Sequence, residues 1–343
     1  MNELLPYPLL ALVGQTELKT ALTLALVNPA IGGVLLSGPY GVGKTTAVRG
    51  LLDVMPTVTR PRCANNCPVD DDGDLCAECR AWLAAGEPRT FTGPMRLIEL
   101  PLNARLEDVV GGLNERVALE QQRVLLEDGA LARAHNNILY IDEINLLDPS
   151  VVDAILDAAA QGQTFVRRGA MVRLYPSQFV LIGSMNPEEG TLRPQILDRL
   201  GLRIWAAPRQ EAADRLEIYR RASAFGRDRA AFRAQYAAAT AELHAEIDGA
   251  RRLLPEVRVA PEAEEYAINA INRLGIPSHR AEIVTLEAAR ARAAADERLV
   301  AGVEDIRAIA PLSLRWRTSV HIDEFAAAFA AEEARIMAAL GAG

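Results

Sequence analysis

Lys44 and Thr45 close the run Gly38-Pro39-Tyr40-Gly41-Val42-Gly43-Lys44-Thr45, entered from Val34-Leu35-Leu36 and left through Thr46-Ala47-Val48. The spacing is G-x-x-x-x-G-K-[ST] between an apolar strand and a helix. Glycines there let the backbone wrap an anion, and successive amide N–H groups, backed by the positive end of the helix, point at phosphate oxygens. Lys44 would reach the β- and γ-phosphates and the Thr45 hydroxyl would ligate magnesium. The stretch predicts a nucleoside triphosphate site.

A second group of acids and amides stands at the ends of other apolar runs. Asp142 and Glu143 follow Ile138-Leu139-Tyr140-Ile141. A carboxylate at a strand end beside a phosphate loop can hold magnesium, and the next acid can orient and deprotonate an attacking water. Asn186 follows Phe179-Val180-Leu181-Ile182-Gly183-Ser184-Met185 and precedes Pro187. Its amide could touch a γ-phosphate, or it could simply open an Asn-Pro turn. Two arginines are also candidates. Arg199, after Leu197-Asp198, could aim a guanidinium at charge developing on a transferred phosphoryl group, either in its own chain or from a neighbour; the alternative is an exposed pair with Asp198. Arg280 opens a late helix and could bridge to the nucleotide or lie on a solvated face.

The four cysteines are Cys63, Cys67, Cys76 and Cys79. Two short pairs separated by eight residues can furnish a tetrahedral zinc site, with the loop through Asp70-Asp71-Asp72-Gly73 turning between them. Thiol redox control and unpaired surface cysteines stay open as alternatives.

The elements that must carry these groups alternate. Apolar strands at 34–36, 97–100, 138–141, 179–184 and 202–205 are separated by helical patterns, which predicts a parallel sheet covered on both faces. Asp148-Pro149 reads as the start of a helix over 148–160. Residues 164–166 and 171–174 flank Arg167-Arg168-Gly169-Ala170 as a hairpin. Residues 56–95, rich in Pro, Asp and Gly, form an insertion or extended loop. The stretch 113–136 is amphipathic and polar. After Pro208 the chain turns helical, over 209–225, 228–252, 260–274, 280–295 and 303–310. The fold class is therefore α/β, with an αβα nucleotide-binding domain over residues 1–207 and an all-α domain over 208–343.

With 343 residues and a formal charge of 37 − 45 = −8, the balance gives no support to a nucleic-acid groove. No apolar run is long enough for a membrane span and the N-terminus lacks an export signal, so a cytoplasmic location is expected.

The order of phosphate loop, Asp-Glu strand end, Asn strand end, arginine and helical domain resembles the AAA+ ATPases. Within them the chain is similar to the I subunit family of magnesium chelatase. The residues that carry the likeness are Leu100-Pro101-Leu102, Val109-Val110-Gly111, Ile138 to Leu147, Met185 to Gly190, Leu192 to Arg199, Leu253 to Val257 and His279 to Val284. Leu200 departs from the pattern, where such sequences usually carry Phe, and the 56–95 region varies among members. The resemblance implies ATP and magnesium as cofactors and an ATPase that drives magnesium insertion into protoporphyrin. It implies Asn186 as sensor one, Arg199 as an arginine finger serving a neighbouring subunit, and Arg280 as sensor two. Leu113 to Gly129 and Thr164 to Gln178 would project into a pore or against partners. It further implies a homo-hexameric ring working with a D subunit bearing a von Willebrand-type domain and a large porphyrin-binding H subunit. A MoxR-like or cobalt-chelatase-type ATPase is the alternative within the class, and a non-hydrolysing scaffold the alternative outside it.

Overall fold

The structure, a computed structural model, describes residues 5–63, 67, 69, 75–113, 126–168 and 171–318. Five strands make the central sheet: β1 (Val34–Ser37), β2 (Leu97–Leu100), β3 (Ile138–Ile141), β4 (Val180–Met185) and β5 (Leu202–Trp205). They lie in the order β5-β1-β4-β3-β2 and every pairing is parallel. Parallel strands buried on both faces must be apolar throughout, and β1, β3 and β4 are buried along their whole length.

Alternation along each strand sorts its side chains between two cores. Val34, Leu36, Ile138, Tyr140, Val180, Ile182, Leu202 and Ile204 join one core, with Leu18, Leu22 and Leu26 of the helix Thr16–Val27 and Ala47 and Val48 of Lys44–Gly50. Leu35, Leu139, Ile141, Leu181 and Met185 join the other, with Val151, Ile155 and Leu156 of the helix Pro149–Gln161. Fully buried leucines of this kind stabilise by about 1.5–3 kcal/mol each. A one-residue slip of any strand would exchange its two sets, so the register is strongly specified. The helix Pro149–Gln161 starts as its sequence predicts: Asp148 accepts from the Ser150 amide at 2.8 Å, Pro149 sits first, and Gly162 ends it in the left-handed conformation.

The first core does not stop at the sheet. The helices Ala237–Leu253 and Arg280–Ala295 pack on Thr16–Val27, and Val303–Ser313 packs on β5. Ile247, Ala288, Ala291 and Ile309 are part of the same apolar cluster as β1. A hydrogen bond and an ion pair reinforce the join: Asn28 donates to Glu287 at 2.7 Å, and Arg233 grips Asp53 through two nitrogens at 2.7 and 2.8 Å. The continuous helix expected over 228–252 is two helices, Arg229–Ala234 and Ala237–Leu253. No Gly or Pro marks the break. It falls where Arg233 holds Asp53 and the Phe232 and Tyr236 rings meet at 5.3 Å.

Among the described residues three antiparallel strand pairs stand off the sheet. Thr57–Pro61 pairs with Thr90–Pro94, framing the helix Ala77–Ala84. Gly111–Leu113 pairs with Leu126–Asp128, so within the stretch 113–136 read as amphipathic Leu113 and Leu126–Asp128 are strand and Ala130–Arg133 is a short helix; residues 114–125 lie outside the described residues. Gln163–Arg168 pairs with Met171–Pro176.

Candidate nucleotide site

β1 ends at Ser37 and the chain wraps through Gly38–Gly43 into the helix Lys44–Gly50. Two glycines are required by the turn. Gly43 has φ of +93°, a backbone that side-chain-bearing residues rarely adopt. A Cβ on Gly38 would stand 2.5 Å from the Ala206 carbonyl oxygen. Lys44 is 6% exposed, and its ammonium donates to the Gly38 and Pro39 carbonyls inside the loop. Burial lowers the Lys44 pKa, countered by the Glu143 and Asp142 carboxylates.

Thr45 opens the helix that covers Tyr140, and this brings three strand ends together. The Thr45 hydroxyl lies 3.3 Å from Asp142. Tyr140, two residues earlier and on the same face of β3, donates to Asp142 at 2.8 Å and reaches Thr45 at 3.2 Å. Ser184 of β4 donates to the same Asp142 oxygen, Oδ1, as Tyr140 does, and accepts from the Glu143 amide at 3.1 Å. These are hard oxygen donors side by side, the set magnesium takes.

Glu143 turns away from the strand with φ of +50°. Its carboxylate accepts the Asn186 backbone N–H at 2.9 Å, and burial pushes its pKa above the usual glutamate value. The Asn186 side chain is fully buried; its oxygen accepts from Glu188 N at 3.2 Å, while its Nδ2 has no hydrogen-bond partner among the described residues. An unpaired buried amide costs about 1–3 kcal/mol, which argues for a ligand oxygen at this position. The residues therefore fit a magnesium-bound triphosphate, with Lys44 and the loop amides on the phosphates, Thr45 and Asp142 on the metal, and Asn186 and Glu143 facing the terminal group.

Next to the loop opens a cleft of about 690 Å³. Tyr40, Gly41, Val42, Gly43 and Thr46 line one side and Leu12, Val13, Gln15, Arg215, Ile218 and Phe225 the others. Gln15, in a left-handed conformation, donates to Ala207 O at 3.0 Å and so ties the N-terminal segment to the start of the helical region. An apolar cleft edged with a few polar groups suits a purine and its ribose. Sequence reasoning missed Tyr140 and Ser184, whose two-residue offset from Asp142 and Asn186 was the available signal. It also missed Val13, Gln15 and Ile218, for which spacing offered none.

The two arginines are elsewhere. Arg199 ends the short helix Pro194–Arg199, just before β5, and its backbone lies against Gly32, just before β1. The phosphate loop leaves the opposite end of β1, about 13 Å along a four-residue strand. Arg199 donates to Leu156 O and lies 3.5 Å from Asp157. Arg280 is beside it, 3.5 Å from Asp198. The helix that Arg280 opens packs on Thr16–Val27 and Pro29–Ile31, which sets its first residue at the end of the strands away from the phosphate loop of the same chain. Asp198 joins this group, accepting from Ser278 at 2.6 Å and Arg317 at 3.1 Å. The four cysteines gather in the Thr57–Pro94 insertion, away from both groups.

Residues 115–195 match the family of magnesium chelatase subunit ChlI, and residues 264–339 match the AAA lid domain. The 38 kDa magnesium-chelatase subunit of Acidiphilium rubrum is 42% identical over 91% of this chain and 90% of its own length. The chain belongs to the magnesium chelatase ChlI family. A ChlI homolog from Methanocaldococcus jannaschii is 39% identical, over 91% of this chain and 85% of the relative. Among solved structures, one chain of the complex between subunits BchI and BchD of magnesium chelatase is 34% identical, with a TM-score of 0.50. That likeness covers 94% of this chain and 99% of the other. As a ChlI-family protein the chain is an AAA+ ATPase, a component of a metal-inserting ligase, and it takes ATP and magnesium. The α/β sheet with a helical lid is the expected fold class. Among the described residues no helix is long and apolar enough to cross a membrane.

Proposed function

We propose that this chain hydrolyses ATP at sites completed between neighbouring subunits, and that the hydrolysis drives magnesium insertion into protoporphyrin IX by a partner. The observation that carries the reading is the separation of Arg199 and Arg280 from Lys44, Asp142, Glu143 and Asn186 within one chain. A transition state for phosphoryl transfer needs positive charge on the developing phosphate oxygens, and such an arginine is often supplied by another subunit. A ring that repeats this chain head to tail sets the Arg199–Arg280 end of one subunit against the phosphate loop of the next. Six subunits are the expected closure.

Within that site the loop amides and Lys44 bind and orient the phosphates, and Thr45 and Asp142 would hold the magnesium, which neutralises charge as it develops. Asn186 positions the water and Glu143 accepts its proton. Arg199 of the adjacent subunit stabilises the transition state. Asp198, the residue before Arg199 in the chain, is held by Arg280, Ser278 and Arg317, so a displacement of Arg199 would pass through it into the helical region. The hairpins 111–128 and 163–176 would present that motion to partners, a D subunit with a von Willebrand-type domain and a porphyrin-binding H subunit. The work is placed in the cytoplasm, where ATP is supplied.

Reconstitution tests it. Mixed with D and H subunits, ATP, magnesium and protoporphyrin IX, the chain should give ATP-dependent metal insertion followed by absorbance. Hydrolysis with no insertion, with subunits shown active in another pairing, would overturn the assigned work while leaving the ATPase standing.

A further inference from the structure

The four cysteines play no part in the chemistry above, yet the fold brings them together. Cys63 and Cys67 follow the strand Thr57–Pro61; Cys76 caps the helix Ala77–Ala84 and Cys79 lies in its first turn. All four sulfurs lie within 4.8 Å of one another. We infer that Cys63, Cys67, Cys76 and Cys79 form a tetrathiolate site for one structural zinc ion, which holds the insertion in shape.

Zinc–sulfur bonds of about 2.3 Å at tetrahedral angles place every pair of sulfurs about 3.8 Å apart. Disulfides bring sulfurs together in twos and give no reason for a compact group of four. An iron–sulfur cluster would spread its cysteines further, because sulfides and several irons stand between them. The backbone is arranged for thiolates. The Cys67 amide points at Cys63 Sγ at 3.5 Å, Cys76 N at Cys67 Sγ at 3.2 Å, and Cys79 N at Cys76 Sγ at 3.4 Å. Amide donors of this kind offset the negative charge of a metal tetrathiolate. Cys63, Cys67 and Cys79 are each no more than 5% exposed.

Among the described residues of the insertion the buried cluster is Cys63, Cys67, Leu75 and Cys79, with Cys76 and Trp82 against them, so three of its four buried members are the ligands of the inferred site. The base of the insertion is firm: Arg62 N bonds Arg89 O at 2.9 Å, extending the hairpin ladder, and Arg60 donates to Pro94 O at 2.9 Å and to Asn137 at 3.2 Å. Asn137 immediately precedes β3, so the insertion springs from the strand ends opposite the phosphate loop. Metal and nucleotide are thereby separate.

Elemental analysis of the full chain, purified without a metal-affinity tag, decides the matter, with about one zinc per chain expected. A mercurial that titrates four thiols should release that zinc in step, read with a chromophoric chelator. Cobalt exchanged into the site should show the visible absorption of a tetrahedral tetrathiolate. Cys79→Ser should lose the metal and hasten proteolytic cleavage within 63–79, while basal ATP hydrolysis stays within about two-fold because the sites are distant. Wild-type protein holding no zinc and four freely reacting thiols, or holding disulfides, or iron in place of zinc, overturns the assignment. None of these results bears on the ATPase itself.

Discussion

At the scale of single residues the chemistry rests on which strand end holds which group. Asp142 is ringed by hydroxyls from Thr45, Tyr140 and Ser184, while Glu143, one residue on, has its carboxylate on the Asn186 amide. Adjacent acids thus face different surroundings, which suits the proposed division of labour, Asp142 toward the metal and Glu143 toward the water. Glu143→Gln keeps the shape and removes the base, so hydrolysis should fall by about 10²–10⁴-fold, with nucleotide affinity little changed. Phosphate release and equilibrium binding measured on one sample check both halves; an unaltered rate would remove Glu143 from the mechanism. The pH profile follows from the same burial. A carboxyl whose pKa is raised by desolvation is protonated, and inactive as a base, up to a higher pH than an exposed glutamate. The acid limb of kcat should therefore fall away above the ordinary glutamate pKa and disappear from the residual rate of the Gln variant. Ionising the same group costs folding free energy, so this residue's contribution to stability declines as pH rises through its folded pKa.

At the scale of elements, β5 and the short helix before it link the two arginines to the helical region. Arg203 of β5 is 1% exposed and donates to the carbonyls of Leu200, Arg315 at 3.1 Å and Trp316 at 2.6 Å. Among the described residues no carboxylate pairs with it directly, and these carbonyls offset its charge. Arg203→Leu would strand them, and a loss of about 2–5 kcal/mol is expected by denaturant titration. The same change should release residues 315–318 from the Asp198 group and slow nucleotide-driven hydrolysis more than it weakens binding. That pattern separates positioning from a general loss of fold. The alternation of Val34, Leu35 and Leu36 between two cores was legible in the sequence, because a parallel strand has no solvent face. The division at Gln235-Tyr236 was not, since no Gly or Pro marks it and the Asp53 that Arg233 holds beside it lies far away in sequence.

At the scale of the whole molecule, the residues assigned to catalysis lie at the two ends of the sheet, so the proposed mechanism requires a second subunit to complete each site. Mixing two inactive variants tests this. Lys44→Ala lacks a working phosphate loop and keeps Arg199; Arg199→Ala has the reverse. If Arg199 serves a neighbour, random mixing restores roughly a quarter of the interfaces and a corresponding fraction of activity. Activity that stays at zero, with mixed assembly verified, would return Arg199 to its own chain. The sequence by itself determined the phosphate loop, the Asp142–Glu143 and Asn186 strand ends, the alternating α/β order and the paired cysteine spacing. Each depends on neighbours along the chain, where glycine freedom, strand periodicity and ligand spacing act directly. Tertiary structure alone decided that Tyr140 and Ser184 brace Asp142, and that Gln15, Ile218 and Phe225 wall the cleft. It also decided that four sulfurs converge, and that Arg280 stands with Arg199, away from the phosphate loop of the same chain. Those outcomes come from packing residues far apart in sequence, and no local pattern encodes which end of a strand a distant helix will meet.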